Sequence, residues 1–347
     1  MIKVKKFNTR LIEWHDEHGR KDLPWQIKKN PYKVWISEIM LQQTQVITVI
    51  PYFNKFLERF PNIKSLAESD QEEIMSYWSG LGYYSRARNL YKASQKILCK
   101  HDAKLPNSFN ELIALPGIGK TTAGAILALG FKKKAAILDG NVKRVLARHQ
   151  KIESDISKSL TIKNLWEQAE LLLPKKRIDT YTQSLMDLGA TICKNNLPLC
   201  EICPISEDCL AFNENKVDSL PIKKLPKNKP TRYVHWLIPV SPNGKILLQK
   251  RKDEGLWGGL WAFMENEKEN ELKRECELKF KMNNPVLKTL YAVKHSFSHY
   301  NLKAFPYIVK IKENKKFKNT IWVDSKNIES LGMPTPVKET IKKIRIS

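Results

Sequence analysis

The chain contains 347 residues, of which 42% are hydrophobic and 28% charged, with 14 glycines and 18 prolines. This composition excludes a disordered chain, a collagen-like repeat and a small disulfide-stapled scaffold, and the length predicts roughly two domains. The 60 Lys and Arg residues exceed the 36 Asp and Glu residues, which gives a net charge of +24. Such an excess favours a polyanionic partner such as DNA or RNA, although a compositional drift toward lysine would also produce it.

A membrane partner is not expected. No stretch approaches the roughly 20 uninterrupted apolar residues that a membrane-spanning helix requires. The amino-terminal segment Met1-Ile-Lys-Val-Lys-Lys-Phe7 lacks the apolar core of a secretion signal. We therefore expect a cytoplasmic protein.

The first part of the chain, over residues 7–212, has apolar residues at the three- and four-residue spacing of helices. Three prolines and four lysines in residues 218–230 then favour an extended linker. We predict a helical region over 1–218, a linker over 219–230 and a second domain over 231–347. The predicted helices of the first region include 32–50, 109–114, 120–129 and 160–173.

The pattern changes after the linker. Two predicted strands, 233–240 and 245–250, flank the turn signal Asn243-Gly244. Helices and strands together predict an α+β domain. Its further predicted elements are strands near 287–293, 302–311 and 321–323 and helices near 268–279 and 336–344.

Four of the six cysteines are closely spaced, in the pattern C-x6-C-x2-C-x5-C. In a reducing cytosol, such thiols hold a metal more often than they form disulfides. Four thiolates satisfy either zinc or a four-iron four-sulfur cluster, so the spacing leaves both open. Cys99 and Cys276 have no close partner in the sequence and are interpreted as buried or incidental thiols. The four candidate ligands are Cys193, Cys200, Cys203 and Cys209.

A glycine-containing turn, Leu115-Pro-Gly-Ile-Gly119, joins two predicted helices. Two glycines two residues apart suit a tight turn. The amides that open the second helix can then bind a phosphate, and the helix dipole adds to the attraction. A plain helix-turn-helix connection would also use glycine. Together with the basic charge, however, the sequence favours a helix-hairpin-helix element that binds the DNA backbone without sequence preference.

Two carboxylates occur in unexpected places. Glu38 shares a helical stripe with Val34 and Leu41, and burial of that stripe would raise its pKa and suit it to general acid catalysis near neutral pH. Asp139 follows the apolar run 135–138. The simpler interpretations are a polar residue at the edge of a stripe for Glu38 and a helix N-cap for Asp139.

Several motifs together resemble the MutY-type adenine DNA glycosylases, over nearly the whole chain and in the same order. They include the hairpin and the four cysteines already described. The remaining ones are Leu23-Pro-Trp25, Trp35-Ile-Ser-Glu-Ile-Met-Leu-Gln-Gln-Thr-Gln45, Gly80-Leu-Gly-Tyr-Tyr-Ser-Arg-Ala-Arg-Asn89 and Ile137-Leu-Asp-Gly-Asn-Val-Lys-Arg144.

This resemblance implies an all-α helix-hairpin-helix glycosylase region, with a helical barrel and an iron-sulfur cluster domain, followed by an α+β Nudix-like domain. The segment before about Leu23 would belong to the cluster domain. The four cysteines would hold one [4Fe-4S] cluster. The substrate would be adenine mispaired with 8-oxoguanine or guanine in duplex DNA, and the product an abasic site in base excision repair. We expect a monomer that, in a bacterium, associates with the nucleoid.

The resemblance also assigns roles to individual residues. Glu38 would protonate adenine N7, and Asp139 would offset positive charge on the sugar, either electrostatically or through a transient covalent bond. Trp25 and Gln183 would line the adenine pocket, although core packing is an alternative for Trp25. The residues that would contact DNA are Gln43, Thr44 and Tyr83, which wedge into the duplex beside the opposite base, and Gly117, Gly119, Lys120 and Thr121 of the hairpin.

An endonuclease III-like enzyme is the alternative within the same fold. That family removes oxidised pyrimidines and cuts the strand with a lysine nucleophile, where this chain has Thr121. The neighbouring Lys120 is rotated by about 100° around a helix and should not face the sugar. Because Glu38 is also foreign to that family, we expect a glycosylase that leaves the strand uncut.

The carboxy-terminal half resembles the Nudix-like domain of MutY proteins through residues 255–261 and 295–299. A Nudix hydrolase needs a complete acidic box, and Arg274-Glu-Cys-Glu-Leu278 is only a fragment of one. Pyrophosphate hydrolysis is therefore not expected. In the family, the loop of Phe297, Ser298 and His299 would recognise 8-oxoguanine, whereas a plain β-turn with a core phenylalanine is the alternative. A DNA-binding module without activity would not need Glu38 on a buried stripe.

Overall fold

The computed structural model describes residues 4–222, 228–313 and 317–344. They form two compact units that are not continuous in sequence. The first is drawn from Met1–Glu68 and Asn89–Pro226, and the second from Ser69–Arg88 and Lys227–Ser347. Part of the predicted linker, residues 223–227, lies outside the described residues, so the division of the chain at 218 and 231 stays a prediction.

Helices dominate the chain up to residue 213, as predicted. None of the helices in the described ranges is long and apolar enough to span a bilayer. In chain order they are α1 Val4–His18, α2 Pro31–Leu41, α3 Val46–Arg59, α4 Ile63–Ala67, α5 Gln71–Tyr77, α6 Ser85–His101, α7 Phe109–Ile113, α8 Lys120–Ala125, α9 Gly140–His149, α10 Ser159–Leu171, α11 Ile178–Thr191 and α12 Leu210–Asn213, with a π-helical turn at Ile126–Gly130 and a 3-10 turn at Cys200–Ile202.

The single helix predicted over residues 32–50 was wrong, because the chain forms α2 and α3 with a turn between them. Asn30 starts α2 by accepting a hydrogen bond from the N–H of Lys33 at 2.8 Å. The helix ends where Gln42 leaves the helical backbone angles and Gln43 adopts a left-handed φ of 55°. No glycine or proline marks this break, and the apolar spacing resumes at Val46, so periodicity alone could not reveal it.

Helix α11 is largely buried and contacts α1, α9 and the π-helical turn. Its approach to α9 is close, since a Cβ on Gly189 would lie 2.5 Å from Cβ of Asn141. Glycine at this point lets the two helices meet. This packing fixes the polar residues that α11 carries inside the first unit.

The second unit contains a mixed sheet, so the α+β prediction is confirmed. Strand β1 pairs in parallel with β7 over ten residues and antiparallel with β2 and β4. The core includes Leu237, Leu247 and Val309. The strands are β1 Thr231–Val240, β2 Ile246–Lys250, β3 Trp261–Ala262, β4 Met264–Asn266, β5 Lys288–Thr289, β6 Val293–Ser296, β7 Asn301–Lys310 and β8 Thr320–Val323, with helices α13 Glu269–Phe280 and α14 Thr335–Ile344 and a 3-10 turn at Ile328–Ser330.

The prediction of one continuous strand over 287–293 was wrong. The segment forms β5 and the start of β6, and both strands pair with β7. The interruption lies opposite Pro306, which has no N–H to donate to a neighbouring strand. At the interruption, the Leu290 N–H donates a hydrogen bond to the carbonyl of Pro306 at 2.9 Å.

Helix α5 and the residues after it pack onto the sheet of the second unit. The Glu72 carboxylate accepts hydrogen bonds from Lys250 Nζ at 2.9 Å and from Trp261 Nε1. Ser79 Oγ donates to the Met333 carbonyl at 2.9 Å. Residues 69–88 are thus bonded to the carboxy-terminal half at several separate points.

Candidate active site and nucleic-acid interface

The stripe of α2 that carries Glu38 faces a cavity in the first unit. Val34, Glu38 and Leu41 all line it. Its empty space is about 400 Å³ including the open mouth. Trp25 and Gln183 line the same cavity, so the structure brings three of the sequence-predicted residues together.

Glu38 is surrounded by protein but keeps part of its surface open to the cavity. Burial and, to a smaller extent, the nearby charge of Asp139 together raise the pKa of its carboxyl to about 8. A carboxylic acid with this pKa is protonated at neutral pH. Glu38 can therefore donate a proton to a group bound in the cavity.

Asp139 caps α9, since its Oδ1 accepts a hydrogen bond from the Val142 N–H at 2.7 Å. Burial raises the pKa of this carboxyl, against the opposing effect of hydrogen bonds from the Val142 and Asn141 backbone and the charge of Arg144. Asp139 is absent from the residues that line the cavity. Its charge nevertheless acts on Glu38, so the cap also places a second carboxyl near the first.

Trp25 is 6% exposed and packs edge-on against Phe53, with 5.4 Å between ring centroids. The same ring lines the Glu38 cavity. The Trp25 side chain therefore both packs in the core and lines the cavity.

Gln43 and Thr44 lie in the turn between α2 and α3. Gln43 is exposed, and Thr44 donates its N–H to the Leu41 carbonyl at 3.2 Å. The left-handed φ of Gln43 fixes the direction in which the turn leaves α2. An exposed, conformationally defined turn is suited to a surface contact.

The hairpin between α7 and α8 has the predicted glycines. Gly117 has a φ of 78°, and a Cβ there would lie 2.8 Å from Cβ of Asn89. A Cβ on Gly119 would meet nothing within 4 Å, so the start of α8 is open. Thr121, by contrast, is half-buried.

The Lys120 amine is engaged by α10. Its Nζ lies 4.0 Å from the centroid of the Trp166 ring and 3.3 Å from Oε1 of Glu170. Both contacts stabilise the charged ammonium and hold it on the side of α8 that faces α10.

The four closely spaced cysteines are unpaired and line one cavity of about 380 Å³ including its mouth. Arg148 Nη1 lies 3.5 Å from the Cys193 sulfur and also donates to the Lys194 carbonyl at 2.6 Å. No group of three or more His, Cys, Asp or Glu side chains in the described ranges is arranged to hold a single metal ion. Four thiols around one cavity are the donor set that a four-iron four-sulfur cluster takes.

His149 lines the cysteine cavity too, and burial lowers its pKa to about 4. Neither ring nitrogen has a hydrogen-bond partner among the described residues, although both are buried. A neutral imidazole always carries one N–H donor, and leaving it unpaired is costly. An acceptor within the cavity would satisfy it. The two remaining cysteines are apart from this group: Cys99 is exposed and Cys276 is buried in the second unit.

The loop predicted to recognise 8-oxoguanine lies between β6 and β7. The Phe297 N–H donates to the Tyr300 carbonyl at 2.9 Å, which closes a turn. Its ring packs against Trp257, with 5.6 Å between centroids. Ser298 and His299 are exposed at the tip.

Tyr83 belongs to the same unit as this loop. Its hydroxyl lies 2.9 Å from Oγ of Ser298, although 215 positions separate them in sequence. Tyr83 has a left-handed φ of 48° and is 44% exposed. The structure therefore joins a residue from the helical motif region directly to the predicted lesion-recognition loop.

The fragment of an acidic box lies on α13. Glu275 accepts hydrogen bonds from Asn266 at 2.7 Å and from Lys279 at 3.4 Å, and Cys276 is buried. These contacts hold the fragment within its own domain, and the absence of pyrophosphate hydrolysis stays a prediction.

One polar group was missed by the sequence analysis. Asp187 is fully buried on α11, one turn after Gln183, and contacts Gln183, Arg20 and His15. A carboxylate at this spacing within an apolar helix was the available signal, the same that identified Glu38.

Two family models match the chain. Residues 36–170 match the HhH-GPD superfamily of base excision DNA repair proteins, and residues 235–343 match the NUDIX domain. The matches, the hairpin and the helical unit together define a helix-hairpin-helix base excision repair protein with a Nudix-like domain.

Curated relatives narrow this class. An adenine DNA glycosylase of Buchnera aphidicola subsp. Baizongia pistaciae is 42% identical over 345 residues, covering 98% of this chain and 97% of the relative. The adenine DNA glycosylase of Homo sapiens is 31% identical over 363 residues, covering 87% of this chain and 66% of the relative. The chain belongs to the adenine DNA glycosylase family and is an enzyme of base excision repair.

Solved structures agree on the fold of the helical part. A thermostable thymine-DNA glycosylase is 29% identical with a TM-score of 0.54, covering 61% of this chain and 97% of that protein. A non-covalent endonuclease III–DNA complex is 21% identical with a TM-score of 0.51, covering 62% and 99%. The endonuclease III alternative therefore shares the fold, whereas the relatives of nearly full length are adenine glycosylases.

Proposed function

We propose that this enzyme removes adenine mispaired with 8-oxoguanine or guanine from duplex DNA by hydrolysing the N-glycosidic bond, and leaves an abasic site. The observation that carries the proposal is Glu38, a carboxyl with a pKa of about 8 in a cavity that Trp25 and Gln183 also line. The bond cannot be reached inside a duplex, so the adenine must first rotate out of the stack into this cavity.

We assign Glu38 the role of proton donor. Adenine leaves poorly as an anion, and proton transfer from Glu38 to N7 makes it a neutral leaving group as the bond to C1′ breaks. The resulting Glu38 carboxylate can then accept a proton from the water that attacks C1′. These two transfers return Glu38 to its protonated form.

We assign Asp139 the role of stabilising positive charge on the sugar. Loss of the base leaves positive charge on the ring oxygen and C1′, and a nearby carboxylate lowers the energy of that cation. The cap hydrogen bonds from Asn141 and Val142 favour the ionised form of Asp139 against the effect of its burial. The proposed tasks require a protonated Glu38 and an ionised Asp139.

We assign DNA binding to the hairpin between α7 and α8, to the turn between α2 and α3, and to Tyr83. The hairpin, with Gly117, Gly119, Lys120 and Thr121, would hold a backbone phosphate, and the net charge of +24 would attract the duplex. Gln43, Thr44 and Tyr83 would contact the duplex beside the opposite base, where the exposed Tyr83 ring can stack. The enzyme would act as a monomer in the cytoplasm, on nucleoid DNA in a bacterium.

Ser298 is assigned the recognition of 8-oxoguanine. Its hydroxyl is exposed at the tip of a turn that Phe297 anchors among aromatic rings, and Tyr83 orients it. A hydroxyl can donate to or accept from the oxidised edge of the base, and His299 lies beside it at the tip.

Cys193, Cys200, Cys203 and Cys209 would hold one [4Fe-4S] cluster. Burial raises the pKa of the Cys200, Cys203 and Cys209 thiols, so metal coordination is needed to keep them as thiolates. The cluster would cross-link the loop of residues 193–209 and couple its folding to metal binding.

We further propose that the enzyme does not cut the strand. A lyase needs an amine that attacks C1′, and Thr121 has none. Trp166 and Glu170 hold the amine of the neighbouring residue, Lys120, against α10.

The test is a single-turnover assay on a fluorescent duplex that contains one adenine opposite 8-oxoguanine. We expect cleavage at that adenine after alkali treatment and an intact strand without it. Cleavage before alkali would contradict the monofunctional mechanism. Absence of alkali-labile sites opposite both 8-oxoguanine and guanine would overturn the proposed substrate.

A further inference from the structure

The orientation of the Gln183 amide decides which chemical group the cavity accepts. Gln183 lines the cavity beside Glu38, and its side chain is 4% exposed. An amide has a donor end and an acceptor end, and the two are interchangeable by rotation. Nε2 of Gln183 donates a hydrogen bond to Oδ1 of Asp187 at 3.0 Å, so the opposite end, Oε1, is left for the cavity.

Asp187 is held by several donors. Arg20 donates from Nε to Oδ1 at 2.9 Å, from Nη2 to Oδ1 at 2.7 Å and from its backbone N–H to Oδ2 at 3.0 Å. His15 Nε2 lies 3.3 Å from Oδ2. Burial acts to raise the pKa of Asp187, but the contacts with His15 and Arg20 outweigh it and hold the pKa below its usual range.

An ionised carboxylate has no donor. If the Gln183 amide rotated by 180°, its oxygen would face Oδ1 of Asp187 about as closely as the nitrogen does, and two acceptors would repel each other. That orientation would also leave the buried amide nitrogen without its partner. Asp187 therefore selects one of the two orientations.

We propose that Asp187 is a positioning residue which fixes the Gln183 amide with its oxygen toward the cavity, and thereby sets the choice of base. The inference rests on the proposed function. Adenine carries an exocyclic amine at C6, next to the N7 that Glu38 protonates, and this amine can donate to Oε1. Hypoxanthine and guanine carry a carbonyl there, whose lone pairs would face Oε1.

The experiment compares three duplexes, with adenine, hypoxanthine or unsubstituted purine opposite 8-oxoguanine, in single-turnover excision. The variants are Asp187→Asn and, as a control on the first turn of the same helix, Asp179→Asn. The asparagine can present either end to Gln183 and so releases the amide. We expect the adenine-to-hypoxanthine rate ratio to fall about tenfold in Asp187→Asn, the value of one hydrogen bond, and to stay unchanged in the control.

A purely structural role would lower the three rates by the same factor, and that result would overturn the proposal, as would an unchanged ratio. If Asp187→Asn does not fold, the adenine-to-hypoxanthine rate ratio is measured in Gln183→Leu instead. The ratio must fall at least tenfold in that variant if the Gln183 amide binds the C6 amine of adenine. An unchanged ratio would contradict the proposal. Failure of the wild-type enzyme to release adenine would instead count against the proposed function, so the two failures are distinguishable.

Discussion

Glu38 is the residue on which the proposed chemistry depends. Its carboxyl combines two properties that proton donation requires, a place in a cavity and a pKa near the working pH, and it has a second carboxyl close by. Each property comes from packing around α2, since an exposed glutamate would be ionised at neutral pH.

Glu38→Gln removes the proton while keeping the shape of the side chain. We expect the single-turnover excision rate to fall about 10³-fold or more, because a glutamine cannot protonate N7. Affinity for the mismatched duplex, measured by fluorescence anisotropy, should stay within a few-fold of wild type. Glu13→Gln, an exposed change on α1, is the matched control and should keep the full rate. Excision at the wild-type rate by Glu38→Gln would remove Glu38 from the mechanism.

The pH dependence of the single-turnover rate follows from the same residue. The protonated acid is the active form, so the rate should fall as pH rises through about 8 and lose about tenfold per unit beyond it. On the acid side the rate should fall as Asp139 protonates, because its ionised form stabilises the cation. A rate that stays flat from pH 7 to 10 would show that Glu38 is not the acid.

The raised pKa of Glu38 also makes a stability prediction. The folded state holds the proton up to about pH 8, whereas the unfolded chain loses it near 4.5, so the stability that this group contributes is lost as pH rises between those values. Glu38→Gln should therefore show a smaller decline of Tm from pH 5 to 8 than wild type. Parallel curves for the two proteins would contradict the burial of this carboxyl.

Among the elements, the hairpin between α7 and α8 shows how local geometry restricts the sequence. Its two glycines meet different structural requirements. Gly117 adopts a left-handed conformation against Asn89, whereas Gly119 has ordinary backbone angles and open space where a phosphate would approach.

Gly117→Ala should therefore destabilise the protein by roughly 1–2 kcal/mol, because alanine is strained at positive φ and its Cβ would press on Asn89. Gly119→Ala, the matched control, should leave the free energy of unfolding within about 0.5 kcal/mol and affect DNA binding instead. Urea titrations of both variants provide the comparison. Equal destabilisation would show that the two glycines have the same role.

At the scale of the whole molecule, residues 69–88 belong structurally with the carboxy-terminal half. Glu72 and Ser79 bond to it at separate points, and Tyr83 bonds to Ser298. Deletion of residues 231–347 would expose these groups as well as remove the loop. A point change therefore tests lesion recognition more cleanly than truncation does.

Ser298→Ala should reduce the preference for adenine opposite 8-oxoguanine over adenine opposite guanine by about five- to tenfold, the value of one hydrogen bond. The rate opposite guanine should change less. Ser296→Ala, on the adjacent strand, is the control, since Oγ of Ser296 bonds only to Asn301 among the described contacts. An equal loss on both mispairs would argue against a role for Ser298 in recognition.

By itself the sequence determined the helical and α+β halves from the spacing of apolar residues, and it singled out the hairpin glycines, the four cysteines and Glu38. The class of protein came from the resemblance of these motifs, in the same order, to the MutY-type adenine DNA glycosylases. Local patterns carried this much because helices, turns and strands follow from the spacing of neighbouring residues. The break at Gln43 and the interruption opposite Pro306 escaped them, since backbone strain and cross-strand pairing depend on distant partners.

Only the tertiary structure decided which polar residues meet. It brought Trp25, Glu38 and Gln183 around one cavity, placed Asp187 behind Gln183, and joined Tyr83 to Ser298 across 215 positions. The physical reason is that a pKa and the orientation of an amide are set by desolvation and by contacts from other elements, which no single stretch of sequence contains.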